Sequence, residues 1–99
     1  MLQAEPVSIV FEWDAAAHER GRRERGFGFD TAAAIFAGPV VEWRDERRDY
    51  GEERMVALGA VDGLVLVVVY TDRGQIRRIV SARPANRKER VLWQLFVSP

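Results

Sequence analysis

Short runs of alternating or wholly apolar residues punctuate this chain, and between them lie stretches whose spacing suits helices. VSIVFEW at residues 7–13 is short, β-branched and aromatic and follows a Glu-Pro dipeptide, so it predicts a strand. AAAHERGRRER at 15–25 then reads as a helix. Asp14 is placed to cap its start and Gly26 to end it, while Gly21 weakens its middle by about 1 kcal/mol relative to alanine. After GFGF, Asp30 is expected to cap a second short helix, TAAAIF at 31–36, which AGP stops.

From residue 40 onward the pattern is that of a meander. VVEWRDE (40–46), RMVALGA (54–60), LVLVVVY (64–70) and IRRIVSA (76–82) are four predicted strands. A charged loop with Tyr50 and Gly51 separates the first two, and the Asp-Gly pair in VDGL marks a tight hairpin between the second and third. LVLVVVY does not alternate, which implies burial on both faces and a central place in the sheet. Pro84 closes the last strand. Asn86 is a cap for a final helix, RKERVLWQLF, in which Val91, Leu92, Leu95 and Phe96 make one apolar stripe. The order is β-α-α-β-β-β-β-α, which predicts one α+β domain over residues 1–99. Its twisted antiparallel sheet would have about four to five strands, helices packed on one face and a second face open for function.

Composition narrows the chemistry. The 99 residues contain no cysteine and a single histidine, so disulfides, thiolate metal sites and multi-histidine metal sites are excluded. There is no Gly-rich nucleotide motif, no nucleophile elbow and no carboxylate cluster with metal spacing, so neither cofactor nor metal is expected. The N-terminus lacks the basic start and apolar run of a signal peptide, and no stretch is long enough to span a bilayer, which predicts a cytoplasmic protein without membrane contact. Fifteen Lys+Arg balance fifteen Asp+Glu, yet the charge is unevenly spread. Residues 73–99 carry seven cations against Glu89 alone, a net of +6, whereas residues 42–54 carry −2. All but one of the cations are arginine, whose planar fork suits phosphate. Such a patch can bind phosphate and stabilise charge developing on it.

Strict strand alternation puts Arg77, Ile79, Ser81 and Arg83 on one face and Ile76, Arg78, Val80 and Ala82 on the other. With guanidinium groups on both sides, either both faces are wet or one of Arg77 and Arg78 lies on the rim or pairs with a meander carboxylate such as Glu53. His18 has the side chain best suited to proton transfer near neutrality, although it sits mid-helix among charged residues, where a lone histidine is usually just surface. Tyr50 and Tyr70 could relay a proton, with Tyr70 also readable as a core-edge residue. Trp13, Trp43 and Trp93 can stack on bases or fill the core, Trp43 being the one with charged neighbours.

FEWD at 11–14, GFGFDTAAAIFAGP at 26–39, GEER at 51–54, LVLVVVYTDRG at 64–74 and RRIVSARPANRKER at 77–90 together resemble the BrnT family, toxins of type II toxin–antitoxin systems. The resemblance runs through nearly the whole chain in order. It implies a RelE-like fold, an endoribonuclease activity that halts translation, and a cognate ribbon-helix-helix antitoxin (BrnA-like) that neutralises the toxin and represses the shared operon. DNA would thus be contacted only through the antitoxin. The family's polar positions fall on Trp13, Asp14, Arg54, Tyr70, Arg73, Arg78, Ser81 and Arg83. Glu89 and Arg90 match a pair that opens the last helix, where a structural or antitoxin-contact role is implied. The chain departs from the family at Ala17, Gly21 and Arg25, where lysine, asparagine and histidine are usual, and at Pro84, where lysine is usual.

The expected mechanism is metal-independent attack of an RNA 2′-hydroxyl on its adjacent phosphate. The candidate catalytic set is Arg54, Arg78, Ser81, Arg83 and Tyr70, and the wider RNA-contact set is Arg73, Arg77, Arg25, Trp13 and Trp43. Arg54, Arg78 and Arg83 would hold the phosphate. Ser81 would hydrogen-bond it or cap the strand. The proton acceptor is unidentified, with Tyr70, His18 and Glu12 as candidates. Two other readings stand beside this one: a non-catalytic module whose arginine face binds an antitoxin or nucleic acid, and a direct DNA binder.

Overall fold

A computed structural model describes residues 9–98. The first two residues of the strand expected at 7–13 lie outside that range. Strand β1 is Val10–Glu12, helix α1 Ala15–Arg25 and helix α2 Phe29–Ala33, which runs directly into a 3₁₀ turn at Ala34–Ala37. The meander is β2 Val41–Arg44, β3 Met55–Val61, β4 Leu64–Arg73 and β5 Ile76–Pro84, and helix α3 is Arg87–Val97. All five strands form one sheet in the order β1-β5-β4-β3-β2. The predicted element order is therefore found, and the fold is α+β. One feature differs from the all-antiparallel expectation: β1 pairs in parallel with β5, Val10 opposite Ile76 and Glu12 opposite Arg78, so the sheet is mixed. A parallel partner needs a long crossover, and the chain from α1 through β4 serves as one.

The unbroken apolar run of β4 sits in the middle of the sheet, buried on both sides as its composition requires. On one face Leu66, Val68 and Tyr70 meet Ala57, Ile79 and Ala82 and are covered by Phe29, Ala32 and Ile35 of the helical segment after α1. On the other, Val67 and Val69 join Val56 and Leu58 beneath Trp93 of α3. Helices thus lie on both faces rather than one, and the second face is only partly open. The β3–β4 turn is the predicted two-residue hairpin: Asp62 and Gly63 take φ of 50° and 80°, the left-handed values that match strand twist.

The caps account for the helix boundaries. Asp14 accepts from the Ala17 N–H at 2.9 Å, and α3 opens on a capping box, with Asn86 accepting from the Glu89 N–H and Glu89 accepting from the Asn86 N–H. The expectation for α2 fails at Asp30, which lies inside the first turn. The helix starts at Phe29, two residues before the expected Thr31, because His18 Nδ1, reaching across from α1, accepts the Phe29 N–H at 2.9 Å and does the work of a cap. A Cβ at Gly28 would collide with that imidazole, so glycine is needed there. The apolar stripe of α3 also reverses expectation. Val91, Leu92, Leu95 and Phe96 are all exposed, Leu95 by 71%, and only Trp93 turns inward.

Candidate active site

The residues expected to act together are arranged by a β-bulge. Along β4 and β5, Val67 pairs with Arg83 and Val69 with Ser81, but Tyr70 pairs with Ile79, leaving Val80 as the extra residue. A bulge of this kind puts two residues opposite one and resets alternation. Arg78, which pairs with Thr71, therefore shares the face of Ser81 and Arg83, while Arg77 and Ile79 share the other with Ala82. Strict alternation, which grouped Arg77 with Ser81 and Arg83, is wrong at this point.

On the bulge-defined face, a cleft of about 280 Å³ opens between the sheet, the start of α3 and the loop after β2. Trp43, Val56, Val69 and Ser81 form its floor as one cross-strand row, and Trp43 is 37% exposed. Arg83 and Glu89 form one wall, and Asp45 and Arg47 the other. Arg83 donates Nη1 to Glu89 Oε1 at 2.7 Å and Nη2 to Oε2 at 2.8 Å, a two-pronged pair. That hydrogen bonding raises the Arg83 pKa and holds the Glu89 carboxyl below its ordinary value.

Asp45 organises the loop. Its side chain is 2% exposed and accepts from Arg47 Nε and Nη2, both at 2.8 Å, from the Arg47 N–H and from the Tyr50 hydroxyl. The Arg47 hydrogen bonds outweigh the cost of burial and bring its pKa down to about 2. A hydrogen bond from the Asp45 N–H to the Arg54 carbonyl, 2.8 Å, closes the loop's neck. Arg54 itself stacks on Tyr50, its Cζ 4.0 Å from the ring centroid, and its buried Nε has no partner. It lines a separate concavity of about 470 Å³ within the loop, not the cleft.

The remaining candidates are dispersed. Arg78 is half-buried and reaches Glu12 of β1 at 3.4 Å, away from α3, whereas Arg83 is drawn toward α3. Their partners Thr71 and Val67 lie four positions apart on β4, roughly 13 Å along the strand, and the two side chains turn to opposite ends of it, so the two guanidinium groups do not converge on one phosphate. Tyr70 lies on the opposite face, 2% exposed, donating to Glu42 Oε1 at 2.8 Å. Burial and that carboxylate push its pKa up, which removes the physical basis of the proton-relay expectation for Tyr70. Arg77 is on the same side as Tyr70, paired through both nitrogens with Asp72 and lying 4.1 Å over the Tyr70 ring, a packed position unsuited to RNA contact. Trp13 stacks on His18, with 5.5 Å between centroids, and packs against the helix-covered core, so the base-stacking expectation is not met there either. His18 is occupied as the α2 cap, and Arg73 pairs with Glu52 on the surface. Arg25 is exposed at the end of α1. Ala17 and Gly21 belong to that same helix, which packs on the face away from the cleft.

Charge in space is thus more balanced than charge in sequence. Arg73, Arg77, Arg78 and Arg83 each meet a carboxylate, in Glu52, Asp72, Glu12 and Glu89. Among the described residues no group of three or more His, Asp or Glu side chains gathers to hold a metal, and no helix is long and apolar enough to cross a membrane. Glu89 is the cleft residue that sequence reasoning undervalued. Its signal was the capping-box spacing from Asn86, which turns the carboxylate back toward the strand end.

One cleft of this α+β domain thus gathers an arginine, a hydroxyl and a partly exposed tryptophan. The family model for "Ribonuclease toxin, BrnT, of type II toxin-antitoxin system" matches residues 13–89, and the chain belongs to this family. Membership implies an RNA substrate and an antitoxin partner. No curated protein matches the chain.

Proposed function

We propose that this chain is a metal-independent endoribonuclease acting in the cytoplasm as a single domain, whose RNA cleavage stops translation and whose activity a ribbon-helix-helix antitoxin neutralises. The reaction is attack of a 2′-hydroxyl on the adjacent phosphate with departure of the 5′-oxygen. Arg83 holds the reacting phosphate, Ser81 hydrogen-bonds it from the floor, Trp43 stacks on a neighbouring base, and Arg78 holds a phosphate further along the strand. The observation that carries this reading is the bulge at Val80, which brings Arg78, Ser81 and Arg83 to the face that Trp43 shares.

The carboxylate pairs do not forbid phosphate binding. The Arg78–Glu12 contact is single, long and partly exposed and contributes about 0–1 kcal/mol, so a phosphate can displace it at low cost. Arg83 is half exposed and can share its guanidinium with a phosphate without leaving Glu89 altogether. The positions where the family's lysine, asparagine and histidine are absent are on α1, across the sheet from the cleft. Their loss leaves this site's groups in place. Incubation of the purified protein with labelled RNA in EDTA tests the proposal: cleavage by the wild type that is abolished in Arg83→Ala supports it, and intact RNA at high protein concentration refutes it. Intact RNA together with tight RNA or antitoxin binding would favour the non-catalytic module, to which the extensive pairing of the β5 arginines with carboxylates gives some support.

A further inference from the structure

The reaction just described lacks a group to take the proton from the 2′-hydroxyl. Three carboxylates line the cleft: Asp45, Glu46 and Glu89. Asp45 is excluded by its surroundings, since it is buried and already accepts hydrogen bonds from Arg47 and from Tyr50. Glu46 is an exposed loop side chain that makes no hydrogen bond among the described residues, so nothing fixes it relative to the phosphate site. Glu89 differs from both. The first turn of α3 anchors it from behind through the Asn86 N–H, 2.8 Å from Oε1, and Arg83 fixes it from the front. Its Oε2 accepts only from Arg83 and keeps a lone pair free.

We propose that Glu89 is the proton acceptor of the cleft, taking the 2′-hydroxyl proton of the nucleotide whose phosphate Arg83 binds. The inference rests on the ribonuclease reading. The O2′–H bond breaks and its proton goes to Glu89 Oε2. The O2′–P bond forms, the P–O5′ bond breaks, and the 5′-oxygen takes a proton from water. The hydroxide left behind then removes the proton from Glu89. The products are a 2′,3′-cyclic phosphate and a 5′-hydroxyl end.

The Arg83–Glu89 pair also explains how a carboxylate so well satisfied can act as a base. In the free protein Arg83 keeps Glu89 ionised and weakly basic. A phosphate entering the cleft competes for the same fork, and each hydrogen bond that Arg83 transfers to the phosphate is withdrawn from Glu89. Binding of substrate therefore raises the basicity of the group that must take its proton. The charged groups around this pair are Arg44 at the end of β2 and Asp45, Glu46 and Arg47 from the loop. Arg47 is committed to Asp45, so it cannot replace Arg83 as the partner of Glu89.

The test uses the full chain with a mixed-sequence oligoribonucleotide carrying a fluorophore and a quencher, in EDTA. Glu89→Gln keeps the shape and the cap to Asn86 but cannot take the proton. It is expected to lower kcat by about 10²–10⁴, the usual contribution of a positioned base, with little change in KM, and to remove the acid limb of the pH–kcat/KM profile. Glu89→Asp, which keeps a carboxylate, should retain that limb at a reduced rate, and Glu46→Gln should retain the limb. Thermal melting shows that each variant is folded. Wild-type-like cleavage by Glu89→Gln would overturn the assignment and leave Glu89 as a helix cap. Faster cleavage or tighter RNA binding by Glu89→Gln would also overturn it, showing that Glu89 merely occupies the Arg83 fork. Loss of activity in Glu89→Asp with the same pH profile as Glu89→Gln would count against it too. If the wild type leaves RNA intact, the ribonuclease reading and this inference fall together, whereas failure of the Glu89 arm alone leaves that reading standing.

Discussion

Replacing Trp93 with alanine should detach α3 while leaving the rest of the sheet folded. The helix makes its core contact through this residue, the one side chain of its eleven residues that is buried, against Val56, Leu58, Val67 and Val69. A buried Trp→Ala change costs about 3–5 kcal/mol. What would still hold the helix is the Arg83–Glu89 pair, half exposed on the arginine side and contributing about 1–2 kcal/mol, and one hydrogen bond from Arg90 Nη1 to the Ala85 carbonyl at 2.9 Å. An eleven-residue helix is marginal in water by itself. The loss therefore exceeds what remains, and α3 should open locally. Phe29, Ala32 and Ile35 on the other face do not touch Trp93, so the second half of the core is untouched. Amide hydrogen exchange is the assay: protection over residues 87–97 should fall by about a hundred- to several-thousandfold, converting the cost at 1.4 kcal/mol per decade, while β3 and β4 lose much less. RNA cleavage should fall with it, because Glu89 and the Arg83 fork lose their geometry. Unchanged protection in α3, or equal loss across the whole sheet, would refute the reasoning.

Two further outcomes follow from the surroundings of single groups. Tyr70→Phe removes a hydrogen bond to the exposed carboxylate Glu42 on the face away from the cleft, so it should cost about 1 kcal/mol in a denaturation curve and leave cleavage unchanged; a large loss of kcat would reinstate Tyr70 as a catalytic group. Asp45 has a folded pKa brought down from 3.8 to about 2, so its contribution is present in full above about pH 4 and is lost as the pH falls through 2. The loop between β2 and β3 should accordingly open in that acid window, followed by Tyr50 fluorescence, and Asp45→Asn should open it at neutral pH.

Much of the architecture could be read from residue pattern because the pattern and the fold share a cause. The run LVLVVVY is apolar on both sides because β4 is covered on both sides, and the Asp-Gly pair took the positive φ values that only such residues accept readily. Local chemistry likewise announced the Asp14 and Asn86 caps. What stayed hidden was non-local. The His18 side chain caps a helix eleven residues away, and no sequence window shows a ring arriving from another element. The parallel pairing of β1 was equally invisible, since VFE carries no mark of its partner. For α3 the apolar stripe was visible but its direction was not, because a single bulky tryptophan outweighed four aliphatic and aromatic neighbours in choosing which side met the sheet.

In the site, residue types were easier to foresee than groupings. Arg83, Ser81 and Trp43 were expected to matter and line one cleft. Pairing of one of Arg77 and Arg78 with a carboxylate was foreseen, but not that all four of Arg73, Arg77, Arg78 and Arg83 pair, nor with which partners, because net charge along a segment says nothing about which carboxylate lies across the sheet. The arginine-rich end of the chain looked like an open cationic surface. In space it is a set of ion pairs that a phosphate has to enter by exchange.

The extra residue at Val80 has a consequence for how this chain can vary. Deletion of Val80 would leave Ile79 opposite Tyr70 and Ser81 opposite Val69 in an unbroken ladder, so Arg78, Ser81 and Arg83 would keep their common face. Deletion of Ala82 would instead put Ser81 and Arg83 on opposite sides of the sheet, one of them toward the apolar core beneath α2. The strand can therefore lose a residue at one position and not at a position two further on. Two chains of this kind could differ in length between Arg78 and Ser81 and still turn the same side chains toward the substrate.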